Sequence, residues 1–256
     1  MKHRVVILGS GNVATHLVAA LAKYVDIVQI YSQTVANAQK LADLIGCSNY
    51  SNQIGDIVAD ADIYLFIVKD DAIAMLANQI KVDNPTALFI HTSGSVSADV
   101  FANVSSNYGV LYPLQTFTKG VDVNFAEISI FTQGNKPESK LIVDKLASYL
   151  TTKVYTADSE LRRKLHIAAV FACNFANHMW DIADGIMQRE ELPFDVLLPL
   201  IQSSIDKIKR ITPHDAQTGP AVRGDKEITN KHISMLTGAE SEIYKLISEN
   251  IYNERN

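Results

Sequence analysis

The chain has 256 residues, 47% of them hydrophobic and 20% charged, with a formal charge of −5, a composition that suits a soluble globular protein with room for two domains. No run reaches the roughly 18–20 apolar residues of a membrane span, and "MKHRVVIL" enters a strand pattern where a signal peptide would show a longer apolar region, so a cytoplasmic protein with no membrane partner is expected. Acids and bases are interspersed without the basic stripe that nucleic acid requires, and Cys47 and Cys173 have no neighbours at metal-ligand spacing, so neither nucleic acid nor a metal is expected.

Through about residue 155, short β-branched runs alternate with longer helical periods: "RVVIL", "DIVQIY", "IYLFIV", "ALFIHT", "GVLYP" and "ISIFT". They predict buried strands of a mostly parallel sheet with crossover helices between them. "KVYTA" offers one more short strand, and Asp158 then stands where a helix cap is wanted. Beyond it the strand signal stops, and three long helical patterns follow, Ser159–Arg189, Phe194–Arg210 and Lys226–Asn250. The predicted fold class is α/β, a Rossmann-type mostly parallel sheet over residues 1–156 followed by a smaller all-α domain over 157–256.

The first strand runs into Gly9-Ser10-Gly11-Asn12-Val13-Ala14 and then into an amphipathic helix carrying Val13, Leu17, Val18 and Leu21. A pyrophosphate is held by unpaired N–H groups at a helix N-terminus, and the glycines let the backbone come close. Gly9, Ser10, Gly11, Asn12 and Val13 are therefore expected to hold a dinucleotide. About twenty residues on, where an Asp or Glu would bind the ribose hydroxyls of NAD, the chain has Ser32, Gln33 and Thr34. Three hydrogen-bonding side chains without a carboxylate favour the 2′-phosphate of NADP over NAD, although no arginine stands there. Two later strand ends fit the same crevice, with Val68 and Lys69 on the adenine side and Thr92, Ser93 and Gly94 nearer the nicotinamide. Asp70 and Asp71 serve equally well as helix caps.

In the helical half, at roughly 100° per residue, Cys173, Asn174, Asn177, Asp181 and Asp184 share one narrow face with His166. Leu161, Leu165, Phe175, Met179 and several alanines fill the opposite arc, which is expected to be buried. The polar face lacks the Lys and Glu of a solvated helix, and it suits a cleft in which His166 moves a proton and Asn174 orients a substrate. His178 points elsewhere and is expected to be structural. In "TGPAVRGD", Arg223 is placed to bind an anionic group, with Asp225 orienting it and capping the last helix.

"GSGNVATHL", "HTSGSVSADVF", "YPLQTF", "HIAAVFACNFANHM" and "TGPAVRGDKEITNKHISML" occur in an order that resembles bacterial Rossmann-like proteins with a C-terminal helical domain of unknown function, a group provisionally labelled NADP oxidoreductases. More distantly the layout is similar to pyrroline-5-carboxylate reductase, deazaflavin-dependent NADP reductase and the 6-phosphogluconate and 3-hydroxyacid dehydrogenases. The resemblance implies hydride transfer between NADP and a small carbonyl, imine or hydroxyl compound held between the two domains. It also implies a homodimer formed through the helical domain. In 3-hydroxyacid dehydrogenases a lysine followed one turn later by asparagine does the acid–base work; here Lys164 precedes His166 and the asparagine comes at Asn174, so that role is not carried over. The alternative from another class is a non-enzymatic NADP-binding redox sensor or dimeric interaction protein.

Overall fold

The computed structural model describes residues 2–255, and the chain divides into two compact units, 1–173 and 174–256. The strand pattern ends near the expected boundary at 156, and the first unit continues into the next helix. Its eight strands are β1 (Arg4–Leu8), β2 (Asp26–Tyr31), β3 (Tyr50–Ser51), β4 (Ile63–Phe66), β5 (Leu88–His91), β6 (Asn107–Pro113), β7 (Ile130–Gly134) and β8 (Val154–Thr156). They form one sheet in the order β3-β2-β1-β4-β5-β6-β7-β8. All neighbours are parallel except β6 and β7. Every predicted strand is present, and β3, only two residues long, is an addition.

Four helices cross between strands: α1 (Asn12–Leu21), α2 (Val35–Ile45), α3 (Asp70–Gln79) and α4 (Pro137–Ser148). Alternate side chains of each buried strand point to opposite faces of the sheet. Val5, Ile7, Ile63, Leu65 and Ile90 therefore pack with α1, α2 and α4, whereas Val6, Leu8, Tyr64, Phe66 and Phe89 pack with α3 and Phe101. On that second face Phe66, Phe89 and Phe101 meet one another at ring distances of 4.9–5.5 Å, and both clusters end at the carboxyl edge of β1, β4 and β5.

Asp158 caps α5 (Ser159–Ala169) by accepting from the Leu161 N–H at 2.8 Å, as expected. A π-helical segment, Val170–Phe175, then leads into α6 (Ala176–Arg189). The constant α-helical step assumed for Ser159–Arg189 is broken there, because a π turn takes more residues per revolution. The polar stripe joining His166 to Asn174, Asn177 and Asp181 is thus not one continuous α-helical face. The arc expected to be buried is largely open in this chain, with Leu161 45% and Phe175 49% exposed.

The second unit holds α6, α7 (Leu198–Ile208), the short α8 (Pro213–Ala216), α9 (Lys226–Met235) and α10 (Gly238–Asn253). The single helix expected over Lys226–Asn250 is two: Leu236 and Thr237 are extended, and Gly238 takes a φ of +54°, so the helical ladder cannot run through. Asp225 caps α9 through the Ile228 N–H. Among the described residues no helix is long and apolar enough to cross a membrane.

Candidate active site

The turn from β1 to α1 is built as the glycines demand. Gly9 has a φ of +119°, and a Cβ there would lie 2.0 Å from the Ile67 carbonyl oxygen. Strand β4 can approach β1 this closely only beside a glycine. Gly11, the residue preceding α1, has nothing within 4 Å of where its Cβ would be, so open space lies over the free N–H groups of the helix start. No acidic residue occupies the first turn of α1. This is a cradle that an anion fits, and its residues suit the pyrophosphate of a dinucleotide.

A cleft of about 710 Å³ opens there, and it brings together Gly9, Ser10, Gly11, Asn12, Val13, Ser32, Gln33, Val68, Lys69 and Thr92. Thr34, Ser93 and Gly94 lie outside its lining. A larger depression of about 1290 Å³ lies at the other end of the strands, beside Arg4, Asp26 and Asp62. Ligands of open α/β sheets bind beyond the carboxyl ends, so the smaller cleft is the candidate. Three side chains in it are already engaged. Ser10 Oγ donates to Ser32 Oγ at 2.7 Å, and Asn12 Nδ2 donates to the Phe117 carbonyl at 2.9 Å. Ser10 and Asn12 thus face a ligand through their backbone N–H groups. The Asn12 bond, with His16 on the Thr118 carbonyl, secures the loop that brings Lys119 to the cleft. Lys69 and Lys119 supply positive charge where the sequence has no arginine.

Beyond Thr92 the loop leaving β5 meets groups that sequence reading does not single out. Tyr112, at the end of β6, shares a hydrogen bond of 3.0 Å with His166 Nδ1 on α5. Their rings meet edge to face, 6.1 Å apart. Tyr112 is 8% exposed, whereas His166 is half-buried. Burial pushes the Tyr112 hydroxyl up from the ordinary phenol range, and the charge of Arg162 opposes that rise. Both rings press on Gly94: a Cβ there would lie 2.8 Å from His166 Nδ1 and 2.9 Å from Tyr112 Cζ.

The loop itself is gripped from two sides. His91, fully buried at the end of β5, accepts from the Ser93 N–H at 3.1 Å through Nδ1, while its Nε2 faces the Ser97 carbonyl at 3.3 Å. Burial foremost, then the charge of Arg162, pushes its pKa down to about 3. Arg162, also buried, donates through Nε to the Ser93 carbonyl at 3.1 Å. Of the other expected residues, Asn174 and Arg223 belong to the second unit and are exposed. His178 lies 3.7 Å from Asp181 on an exposed surface.

Residues 4–94 match the family described as NADP oxidoreductase, coenzyme F420-dependent, and residues 128–251 match a domain of unknown function, DUF2520. A Bacteroides fragilis protein provisionally named an NADP oxidoreductase is 39% identical, with 98% of each chain covered and a TM-score of 0.94. This chain belongs to that NADP oxidoreductase family. Two more distant structures share the fold. The 1-pyrroline-5-carboxylate reductase of Streptococcus pyogenes is 12% identical over 99% of this chain and 98% of its own, with a TM-score of 0.66. A reductive aminase from Aspergillus terreus, solved with NADPH, is 13% identical over 100% of this chain and 88% of its own, with a TM-score of 0.65. No curated protein matches.

Two outcomes follow from the loop. His91 is neutral in the folded chain but takes up a proton on unfolding at any pH between about 3 and its ordinary 6.5. Its burial therefore contributes stability that is complete above pH 6.5 and is lost as pH falls toward 3. Urea unfolding across that window is expected to show a steeper loss for the wild type than for His91→Asn, and equal slopes would refute it. In Gly94→Ala the new methyl has to displace the Tyr112–His166 pair, at a cost of about 1–3 kcal/mol in urea. Wild-type stability in that variant would mean that the contact yields freely.

Proposed function

We propose that this chain is a reductase that binds NADPH in the cleft over Gly9–Val13 and delivers a proton through His166 to a small carbonyl or imine compound. The observation that carries this reading is the continuity of one loop: Thr92 lines the dinucleotide cleft, and Gly94, two residues on, abuts the Tyr112–His166 pair. When bound, the cofactor supplies the hydride. The chain supplies the rest. The N–H groups of Gly11, Asn12 and Val13 hold the pyrophosphate, Ser32 and Gln33 with Lys69 receive the 2′-phosphate, and Ser93 and Gly94 border the nicotinamide.

Tyr112 donates its hydroxyl hydrogen to Nδ1 of His166, which leaves the ring's own proton on Nε2. There it bonds to the substrate oxygen or nitrogen and is transferred as hydride reaches the adjacent carbon, while the Tyr112 hydroxyl hydrogen passes to Nδ1, so that the ring keeps one proton and the negative charge rests on the phenol oxygen.

We propose further that the protein is a homodimer through its helical part. Among the described residues none beyond Arg162 is buried, and Trp180, Leu200, Met235 and Leu246 are 39–81% exposed. A unit of this size normally encloses a core of its own. A second copy is the occupant that offers the same apolar surface in return.

Titration with NADPH and NADH, followed by nicotinamide fluorescence, tests the cofactor reading. NADPH is expected to bind at least about tenfold more tightly, since β2 ends in Ser32 and Gln33 where a carboxylate would bind the NAD ribose, and Lys69 and Lys119 outnumber Asp71, the one acid in the lining. Failure to bind either would overturn the proposal. With a carbonyl or imine compound that turns over, His166→Ala should lower kcat by about 10²–10⁴ and Tyr112→Phe by about tenfold. Binding without turnover of any such compound would return the sensor reading. Light scattering should give twice the 28.2 kDa chain mass, and a monomer at micromolar concentration would exclude the dimer.

A further inference from the structure

Arg162 is 1% exposed, and every hydrogen-bond partner it has is neutral. Nε donates to the Ser93 carbonyl at 3.1 Å, Nη1 to Gln133 Oε1 at 2.7 Å, and Nη2 to the Val96 carbonyl and to Ser159 Oγ. One guanidinium thereby joins the loop leaving β5, the strand β7 and the first turn of α5. His166 lies one turn along α5 from Arg162, on the same side of the helix, and Ser93 precedes the glycine on which His166 rests.

Four neutral acceptors do not need a cation. Burying an unpaired charge is costly, and apolar or neutral hydrogen-bonding groups are the cheaper way to hold a loop. Burial pushes the Arg162 pKa down to about 10, so the group is still charged at neutral pH. Around it, Arg163 repels this charge and Asp158, exposed at the helix start, offsets part of it. His91 behind it is neutral, and Glu160 on the outer side is paired with Lys164 at 2.7 Å. A net positive charge is left behind Tyr112.

We infer that Arg162 is a positioning residue of the proposed site, which holds the Ser93–Val96 loop against the Tyr112–His166 pair and, by its charge, makes Tyr112 the donor of that pair. A nearby cation favours the negative end of an O–H group and strengthens it as a donor. The phenol hydrogen is then directed at Nδ1, and the ring hydrogen of His166 stays at Nε2. The inference rests on the reductase reading for its purpose, but its test needs neither cofactor nor substrate.

The full chain is labelled with 3,5-difluorotyrosine, which brings phenol ionisation into a range where the fold persists. The Tyr112 resonance is assigned by its loss in Tyr112→Phe and followed by ¹⁹F NMR against pH. Removing the charge in Arg162→Gln is expected to raise the proton affinity of Tyr112 about tenfold. Arg162→Lys, which keeps the charge without the planar fork, should return it to near the wild-type value while weakening NADPH binding through the loosened loop. ¹⁵N shifts of the His166 ring should report the Nε2–H form in the wild type.

A folded Arg162→Gln in which Tyr112 titrates as in the wild type would reduce Arg162 to a strut and overturn the inference. Should Arg162→Gln fail to fold, Arg162→Met, neutral and of similar length, takes its place: a raised midpoint supports the role of charge, and a wild-type one refutes it. Failure of NADPH to bind the wild type, with the Tyr112 shift present, would sink the reductase reading and leave the electrostatic role of Arg162 standing.

Discussion

The contact between the Gly94 backbone and the Tyr112–His166 pair is the constraint on which the rest of the site depends. Three elements have to converge on it: the loop leaving β5, the end of β6 and the second turn of α5. A side chain of any size at residue 94 would occupy the space in which the two rings meet. The parallel pairing of β5 with β6 brings two of these elements side by side in one sheet. The third is brought in by Arg162 and Ser159, whose bonds to the loop and to Gln133 explain why α5 joins the first compact unit although the strand pattern has ended.

Much of the fold was legible in the sequence because buried parallel strands leave a strong signal. Each is a short apolar run bounded by polar residues, and seven of the eight strands were visible in that way. The exception, β3, is a two-residue edge strand, too short to show any period. The helical half was read less well for a related reason. An apolar pattern locates a helix but does not register a π turn, because six residues such as Val170–Phe175 look equally apolar in either geometry. Leu236-Thr237-Gly238 carried a break signal in its glycine, which the long flanking pattern masked.

The site divides along similar lines. The structure gathers Gly9, Gly11, Ser32 and Lys69 in one cleft, and that juxtaposition was legible because the glycines mark the first strand-to-helix turn and the other two stand at neighbouring strand ends. What sequence cannot register is side-chain engagement. Ser10 and Asn12 look free to bind a ligand, yet one hydroxyl and one amide are already bonded within the chain. Tyr112 in "GVLYP" reads as one more aromatic core residue of a strand, and only its partner on a distant helix gives it a second meaning. Arg162 is disguised further still. In "SELRRKLH" it reads as one of several charges on a wet helix face, and among them it alone is buried.

The way this loop is held shows why both His91 and Arg162 are needed. Residues 92–97 lie outside the sheet ladder, so their backbone groups need other partners, above all beside the buried Gly94. His91 takes the N–H of Ser93 and Arg162 takes its carbonyl, so one peptide-bearing residue is clamped at both ends by side chains that are themselves buried. The Ser93 hydroxyl closes the turn by accepting from the N–H groups of Ser95 and Val96. A proton on His91 would turn the acceptor at Nδ1 into a donor facing another donor, with the Arg162 charge close by. The clamp needs a neutral imidazole, and the guanidinium beside it, which holds the loop as a fork of donors, is charged. Burial enforces the first, and the absence of any accessible neutral form near pH 7 ensures the second. A loop without regular structure thereby acquires the rigidity that the proposed proton transfer demands.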